Sequence, residues 1–370
     1  MQQQRRSNPK LVPANAFPLD ALPGLSRFFQ GGIKRMVAGI SPARAFADRS
    51  PPAGRAEIVA AVPKALLKAE VEALPAEQRL VESGHFSVHY ARAGQFPWCL
   101  QEIGRLRELS FRGAGEGTGR ASDIDLFDSY YLHVFVWDTQ AAAIVGAYRL
   151  GLADELLSRS DKRGLYTHSL FQYGTRVLRA LNPAIELGRS FVRVEYQRSF
   201  APLMLLWRGI GEFVVRSPKY AVLFGAVSIS NDYEPASRQL IVDYLTANNI
   251  ESNLARHVKP RSAFRSRRTA ELDRAEFAAL NDIEDVSRLV RQIERDSKGV
   301  PVLLKQYLKL GGRLLAFSAD RQFNDALDGL IMVDLRKSDP RVLARYLGES
   351  GAVDFLAHHA SRPDALRRAS

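Results

Sequence analysis

Apolar positions recur with two periods along this chain, and the change from one period to the other marks out the elements. Residues 81–93 (VESGHFSVHYARA) alternate as a strand does. Residues 96–112 (FPWCLQEIGRLRELSFR) switch to helical spacing, with Leu100, Ile103, Leu106 and Phe111 facing a core. A glycine-rich stretch, GAGEGTGR at 113–120, interrupts the pattern. Two apolar runs follow at 130–138 and 143–153, parted by TQAA, and predict a β-hairpin. Residues 181–193 read as a strand, 202–218 as an amphipathic to buried helix, 219–230 as a buried strand and 234–249 as a helix. The order is strand, helix, hairpin, strand, helix, strand, helix. That is a mixed α/β order, unlike the even alternation of a doubly wound parallel sheet.

The flanks read differently. Residues 1–78 are rich in Pro, Ala and Arg, and carry one predicted helix at 63–74 whose leading proline suits a first turn. Within 22–40, Phe28, Phe29, Ile33 and Met36 mix with Arg27, Lys34 and Arg35. A membrane-surface helix and a plain N-terminal arm interrupted by Gly31-Gly32 both fit this stretch. Residues 251–284 are polar and basic, as in a linker or lid. A helix at 284–295 opens a second αβ section, with a helix ending at Gly311-Gly312 and two strands. The expected division is therefore an extension at 1–78, a core at 79–250, a basic linker or lid at 251–284, and a C-terminal αβ section at 285–370 packing on the core.

Composition narrows the class. Of 370 residues, 46% are hydrophobic, enough to bury a core without covalent staples. The single cysteine, Cys99, excludes an internal disulfide framework and a zinc site built on several cysteines. Lys plus Arg (52) exceeds Asp plus Glu (40), giving a net charge of +12 that attracts an acidic protein, anionic lipid or nucleic acid. No RNP-type strand, zinc-finger spacing or basic recognition helix accompanies the charge, so no nucleic-acid partner is expected. The best apolar run, 201–215, is short and broken by Arg208 and Glu212, so no membrane span is expected. The N-terminus lacks the apolar run of a secretory signal. The expected location is the cytoplasm, with a peripheral seat on the inner membrane left open.

Charged residues within the apolar strands are the candidate chemistry. Arg107 stands one helical turn before Phe111, Asp125 and Asp128 lie in DIDLFD, Arg149 ends IVGAYRL, and Glu186 and Arg189 lie in IELGRSFV. Buried charges need partners, since burying one alone costs several kcal/mol or more. Structural ion pairs and a polar site both satisfy that need. Among weaker signals, GAGEGTGR lacks the Lys-Ser/Thr of a phosphate loop and reads as a lid or a connector. His359 and Asp364 have an HxxxxD spacing that we read as coincidence, His85 and His89 read as packed or surface residues, and His168 has no identifiable partner. No metal site is expected.

Taken together, Arg107…Phe111, Asp125…Asp128, Arg149 and Glu186…Arg189 resemble in type and spacing the polar signature of the acyl-homoserine lactone synthases. Those are GNAT-fold enzymes that draw acyl groups from acyl carrier protein. The tryptophan which that family carries after its first helix is replaced here by GEGTG. A closer similarity is to the GNAT-type ornithine lipid N-acyltransferases and related "hemolysin-like" proteins. It is carried by EIGRLRELSFR (102–112), GEGTGR (115–120), DIDLFDSYYLHVFVWD (123–138), IVGAYRLG (144–151), IELGRSFVRVEYQ (185–197), LLWRGIGEF (205–213), FGAVSIS (224–230) and the C-terminal 300–335. The resemblance spans about 80–346. It implies a GNAT-like mixed central sheet flanked by helices, with a C-terminal αβ extension. It further implies an N-acyltransferase that moves a (3-hydroxy)acyl group from acyl carrier protein to the α-amine of an amino acid, L-ornithine first, in aminolipid synthesis. A different amine acceptor and a non-catalytic, membrane-associated hemolysin-like protein remain as alternatives.

Amide formation from a thioester sets the roles. The amine must lose a proton, the thioester oxygen needs donors, and both reactants must be held in line. Glu186 is the candidate base or amine anchor. Arg189 and Arg149 are candidates for the acceptor carboxylate, which a guanidinium fork fits. Asp125 and Asp128 are candidates for a cationic acceptor side chain, with Arg107, Phe111 and Ser190 completing the substrate set. Backbone N–H groups of 189–191 are candidates for the thioester oxygen. GNAT enzymes that use acyl-CoA cradle its pyrophosphate in a glycine-rich turn after this strand, whereas RVEYQRSFAPLM (193–204) has no glycine. The donor expected is thus acyl-phosphopantetheine on acyl carrier protein, with no bound cofactor. Arg193, Arg198 and Arg208 either dock that acidic partner or form a solvated basic face.

Overall fold

In the computed structural model, which describes residues 55–264, 280 and 282–361, the alternating stretch at 81–93 is a hairpin rather than one strand. β1 (Arg79–Ser83) and β2 (Phe86–Arg92) pair antiparallel around Gly84. Its φ of +58° is open to glycine at little cost, and reverses the chain without disturbing the alternation. The predicted N-terminal helix is α1 (Lys64–Ala73), started by Pro63, and the next is α2 (Pro97–Gly113), with proline in its first turn. The membrane-surface reading of 22–40 and the Asp364 end of the HxxxxD spacing lie outside the described residues.

The predicted central hairpin is β3 (Leu132–Asp138) and β4 (Ala143–Leu152), buried along its whole length. Both faces of the sheet are covered there, which is why the pattern is continuously apolar. Two short helices, α3 (Ala153–Ser160) and α4 (Thr175–Ala180), and a short strand β5 (Phe171–Tyr173) come next. β6 (Ile185–Val192), α5 (Ala201–Arg216), β7 (Val222–Ile229) and α6 (Pro235–Asn248) follow in the predicted order. β8 (Val258–Pro260) pairs with β5, so part of the basic stretch 251–284 is strand. α7 (Ile283–Ile293), α8 (Val302–Lys309), β9 (Arg313–Asp320), β10 (Ala326–Asp334), α9 (Pro340–Leu347) and α10 (Glu349–Ala360) complete the described chain.

One mixed sheet runs β1-β2-β3-β4-β6-β7-β10-β9. Only β6–β7 is parallel among these pairs; β10 joins β7 antiparallel from Leu327↔Ile229 to Asp334↔Val222. α5 crosses one face of the sheet, with Gly209 so close to Val88 that an added Cβ would approach its side chain to 2.6 Å. Trp207 of α5 is buried among the rings of Tyr148, Tyr307 and Tyr346, tying the sheet to α8 and α9. α1 and α2 cover the other face through Leu67, Val71, Ile103 and Leu106, packed against Phe135 and Ile144. No helix among the described residues is long and apolar enough to cross a membrane.

Candidate active site

The parallel strands β6 and β7 pair only at Ile185↔Leu223 and Glu186↔Phe224, although both continue to Val192 and Ile229. On its other edge β6 is bulged: Ala147 pairs with Phe191 and Arg149 with Gly188, so Arg189 and Ser190 together face Tyr148. Arg189 takes φ +52°, a conformation that costs a non-glycine residue on the order of 1 kcal/mol. A bulge leaves its extra residue outside the ladder, so backbone there is turned from sheet pairing. A cavity of about 430 Å³ opens at this place. Its wall is apolar at Phe111, Leu187, Phe191, Val227 and Phe323, and polar at Glu116, Arg189, Ser190, Asp320 and Asp328.

Behind the cavity, the predicted charged residues assemble into one buried network. Arg107, on α2, forks onto Asp128 at 2.8 Å through each terminal nitrogen, and its Nε lies 3.1 Å from Asp123. Arg149 reaches Asp125 at 2.6 Å and Asp128 at 3.3 Å. Arg189 meets Asp123 at 3.3 Å and Asp125 at 3.5 Å, and stacks on Tyr166 and Phe323. Asp125 and Asp128 hold each other locally: the Asp125 N–H donates to the Asp128 carboxylate, and the Asp128 N–H to Asp125. This is the reciprocal cap of a short 3-10 turn over Leu126–Ser129. Burial alone would raise the Asp128 carboxyl; hydrogen bonds and charge from Arg107, with Arg149 behind, outweigh it and hold it well below the usual carboxylate range. Asp123, which joins Arg107 to Arg189, was not singled out in the sequence.

Glu186 lies on β6, is 1% exposed and stands outside the cavity wall. It accepts hydrogen bonds from the Tyr131 hydroxyl, the Thr167 N–H (2.6 Å) and the Tyr166 N–H (3.1 Å). Tyr131 can lie there because Gly151 leaves room; a Cβ on residue 151 would sit 2.4 Å from the tyrosine ring. Burial pushes the Glu186 carboxyl up, and the hydrogen bonds from Thr167, Tyr131 and Tyr166 offset this only in part. Its visible task is to hold the 166–167 backbone, and with it Tyr166, at the cavity.

The acidic part of the wall comes from three separate elements. Glu116 follows α2, Asp320 ends β9 and Asp328 lies in β10. The loop bearing Glu116 is pinned: Ser230 donates to the Ala114 carbonyl (3.0 Å), Asn324 to the Gly115 carbonyl (3.1 Å), and Thr118 and Gly119 N–H groups to Glu108 (3.1 and 2.8 Å). The Glu116 carboxylate accepts from Ser228 at 2.8 Å. Burial and the neighbouring Asp232 and Asp320 push Glu116 up to about 7, against the Ser228 hydrogen bond. Asp328 rises well above the usual range through burial and the nearby Asp320 and Glu116, against the pull of Arg189.

Of the residues read from sequence, Phe111, Arg189 and Ser190 meet at the cavity. Arg107, Asp125, Asp128 and Arg149 meet one another behind it. Arg193 is bound to Glu195 (3.1 Å), Arg198 is exposed in the turn after β6, and Arg208 is exposed on α5. His359 is hydrogen bonded to the Pro218 carbonyl (2.8 Å).

Residues 106–208, from α2 through β6 into α5, match the acetyltransferase (GNAT) domain. That match, with the mixed sheet and its parted parallel strands, defines the class as a GNAT-fold acyltransferase. Two relatives narrow it. A glycine N(alpha)-acyltransferase of Phocaeicola vulgatus is 31% identical over 273 residues, 70% of this chain and 82% of that protein. A glycine N(alpha)-acyltransferase of Bacteroides thetaiotaomicron is 31% identical over 329 residues, 84% of this chain and 93% of that protein. The chain belongs to this family of GNAT-domain N-acyltransferases, enzymes that transfer an acyl group to an amino group.

Proposed function

We propose that this enzyme joins a long (3-hydroxy)acyl group, carried as a thioester on the phosphopantetheine arm of acyl carrier protein, to the α-amine of an amino acid, L-ornithine first. The observation that carries the reading is the cavity between the parted β6 and β7 strands, apolar on much of its wall and faced by the bulge at Arg189-Ser190. A thioester laid along the bulge finds backbone N–H groups for its oxygen as charge develops there. The apolar wall takes the acyl chain, and the adjoining polar wall takes the amine.

What lies past β6 supports a carrier-protein donor. Residues 193–204 contain no glycine and form a 3-10 turn (Val194–Tyr196) held by Arg193 to Glu195 and by Gln197 to the Val192 carbonyl. A carrier protein that tethers its own phosphopantetheine needs no pyrophosphate cradle, and Arg198 and Arg208 offer it exposed positive charge. The product, an amphiphile with one chain, would partition to the inner face of the membrane, where the enzyme would work as a peripheral protein.

The charge of the wall supports this acceptor. Glu116, Asp320 and Asp328 share the cavity wall with Arg189, which suits an acceptor bearing two ammonium groups and one carboxylate. Glycine is the second reading, favoured by the names of the two relatives. The test is transfer from a 3-hydroxyacyl carrier-protein thioester, beside the matching CoA thioester, to a panel of amino acids, read by product mass. N-acyl-ornithine from the carrier-protein donor supports the proposal, and Asp328→Asn should raise the KM for ornithine about tenfold, near 1.4 kcal/mol, with little change for glycine. Thioester consumption without an N-acyl amino acid, or liposome leakage in its absence, would overturn it.

A further inference from the structure

We propose that Glu116, on the glycine-rich loop after α2, is the group that takes the proton from the attacking amine. The inference rests on the amino-acid acceptor proposed above and adds the residue that makes the amine reactive. Glu116 lies in the wall of the same cavity as the bulged Arg189-Ser190 backbone, where the thioester is to sit. Glu186, the carboxylate on the strand itself, is spoken for by Tyr131, Tyr166 and Thr167 and lies outside that wall. Among the described residues, Glu116 by contrast accepts a single side-chain hydrogen bond, from Ser228 on β7, and keeps capacity for a second donor.

A second observation marks this part of the cavity as a cation seat. The Asp328 carboxyl lines it and is only 7% exposed, with two further carboxyls, Asp320 and Glu116, close by. Ionising a buried carboxyl beside other carboxyls is costly unless a cation joins it. An ammonium ion at this wall supplies that charge and brings its own protons within reach of Glu116. The loop is built to keep Glu116 there. Gly115 has φ +76°, and a Cβ on it would stand 2.0 Å from the Asp232 carboxylate, while Ser230 and Asn324 grip the carbonyls on either side.

The bound ammonium gives one proton to the Glu116 carboxylate and becomes a neutral amine. Its nitrogen attacks the thioester carbonyl carbon, forming the C–N bond, and the adduct collapses with cleavage of the C–S bond. The second nitrogen proton leaves with the sulfur as thiol. Glu116 then returns its proton to water, so one proton is released per amide formed. The groups that set the readiness of Glu116 are Ser228 on β7, Asp232 and Tyr233 in the β7–α6 connection, Asp320 on β9 and Asp328 on β10, with Arg189 beyond Asp328. Their balance leaves it near 7, where a base can both bind and release a proton under working conditions.

The test is single-turnover transfer from a 3-hydroxyacyl carrier-protein thioester to L-ornithine and to glycine, from about pH 5 to 9. The wild-type rate should climb with pH through about 7. Glu116→Gln should lose roughly 100-fold near neutrality, and what remains should keep climbing toward the pKa of the amine. Glu116→Asp should keep part of the rate with the limb displaced. If Glu116→Gln does not fold, the aspartate variant carries the test. A folded variant within about threefold of wild type across the range, or one that loses rate with its limb unmoved, overturns the inference. A wild-type protein inactive toward both acceptors overturns the amino-acid reading instead, and so tells the two failures apart.

Discussion

Both terminal nitrogens of the Arg107 guanidinium meet the Asp128 carboxylate at 2.8 Å, and both side chains are buried. The pair binds the helix α2 to the turn that carries Asp125, and through Asp125 to Arg149 and Arg189. Removing one partner leaves the other charged and dry. Arg107→Ala should therefore cost about 3–5 kcal/mol in urea unfolding. Asp128→Asn should act differently with pH. The folded pKa of Asp128 lies below the unfolded value, so its contribution is whole above the unfolded pKa near 3.9 and fades as pH falls through the folded pKa. The wild type should thus lose stability toward acid more steeply than Asp128→Asn; parallel acid limbs would show that the pair contributes no linkage.

Glu186→Gln tests whether the strand carboxylate reacts or positions. The amide keeps one carbonyl oxygen for the Thr167 or Tyr166 N–H but not both acceptors. A folded variant should lose less than about tenfold in single-turnover rate, under 1.4 kcal/mol. A loss of three orders of magnitude with KM unchanged would make Glu186 the base and displace Glu116.

Gly115→Ala asks whether the loop geometry matters. The added methyl meets the Asp232 carboxylate at 2.0 Å, and φ +76° costs an L-residue about 1–3 kcal/mol. Thermal unfolding should shift down by several degrees, and transfer should fall further than the stability loss explains, because Glu116 is displaced. An unchanged melting curve and rate would show that the loop does not position the site.

Ala226→Phe narrows the cavity from the β7 side. Transfer from long-chain thioesters should drop at least tenfold more than from short-chain ones, a selectivity read from kcat/KM across donors. Equal loss for all chain lengths would place the acyl chain elsewhere.

Much of the framework was legible along the chain. The central hairpin, β6, α5, β7 and α6 follow from period and apolar content, because each depends on neighbours a few residues away. The reversal at Gly84 was not, since alternation runs through it unbroken. The pairing of β5 with β8 was not either, because three-residue strands carry too little pattern. Among site residues, Arg107, Asp125, Asp128, Arg149, Glu186 and Arg189 stood out as charges in apolar surroundings. Glu116 sits in a glycine-rich loop, and Asp320 and Asp328 lie at the end of β9 and near the start of β10, where nothing local marks a carboxylate as part of a site.

The order of residues was enough to set the strands and helices and to require that certain charges find partners, through local periodicity and the cost of burying charge. Which charges face a cavity and which face each other was decided only in three dimensions. Glu116 and Ser228 stand 112 residues apart, and the antiparallel register of β10 on β7 brings Asp328 beside them. Such proximity depends on strand register and on the bulge at Arg189, which are set by the packing of the whole sheet rather than by any one segment.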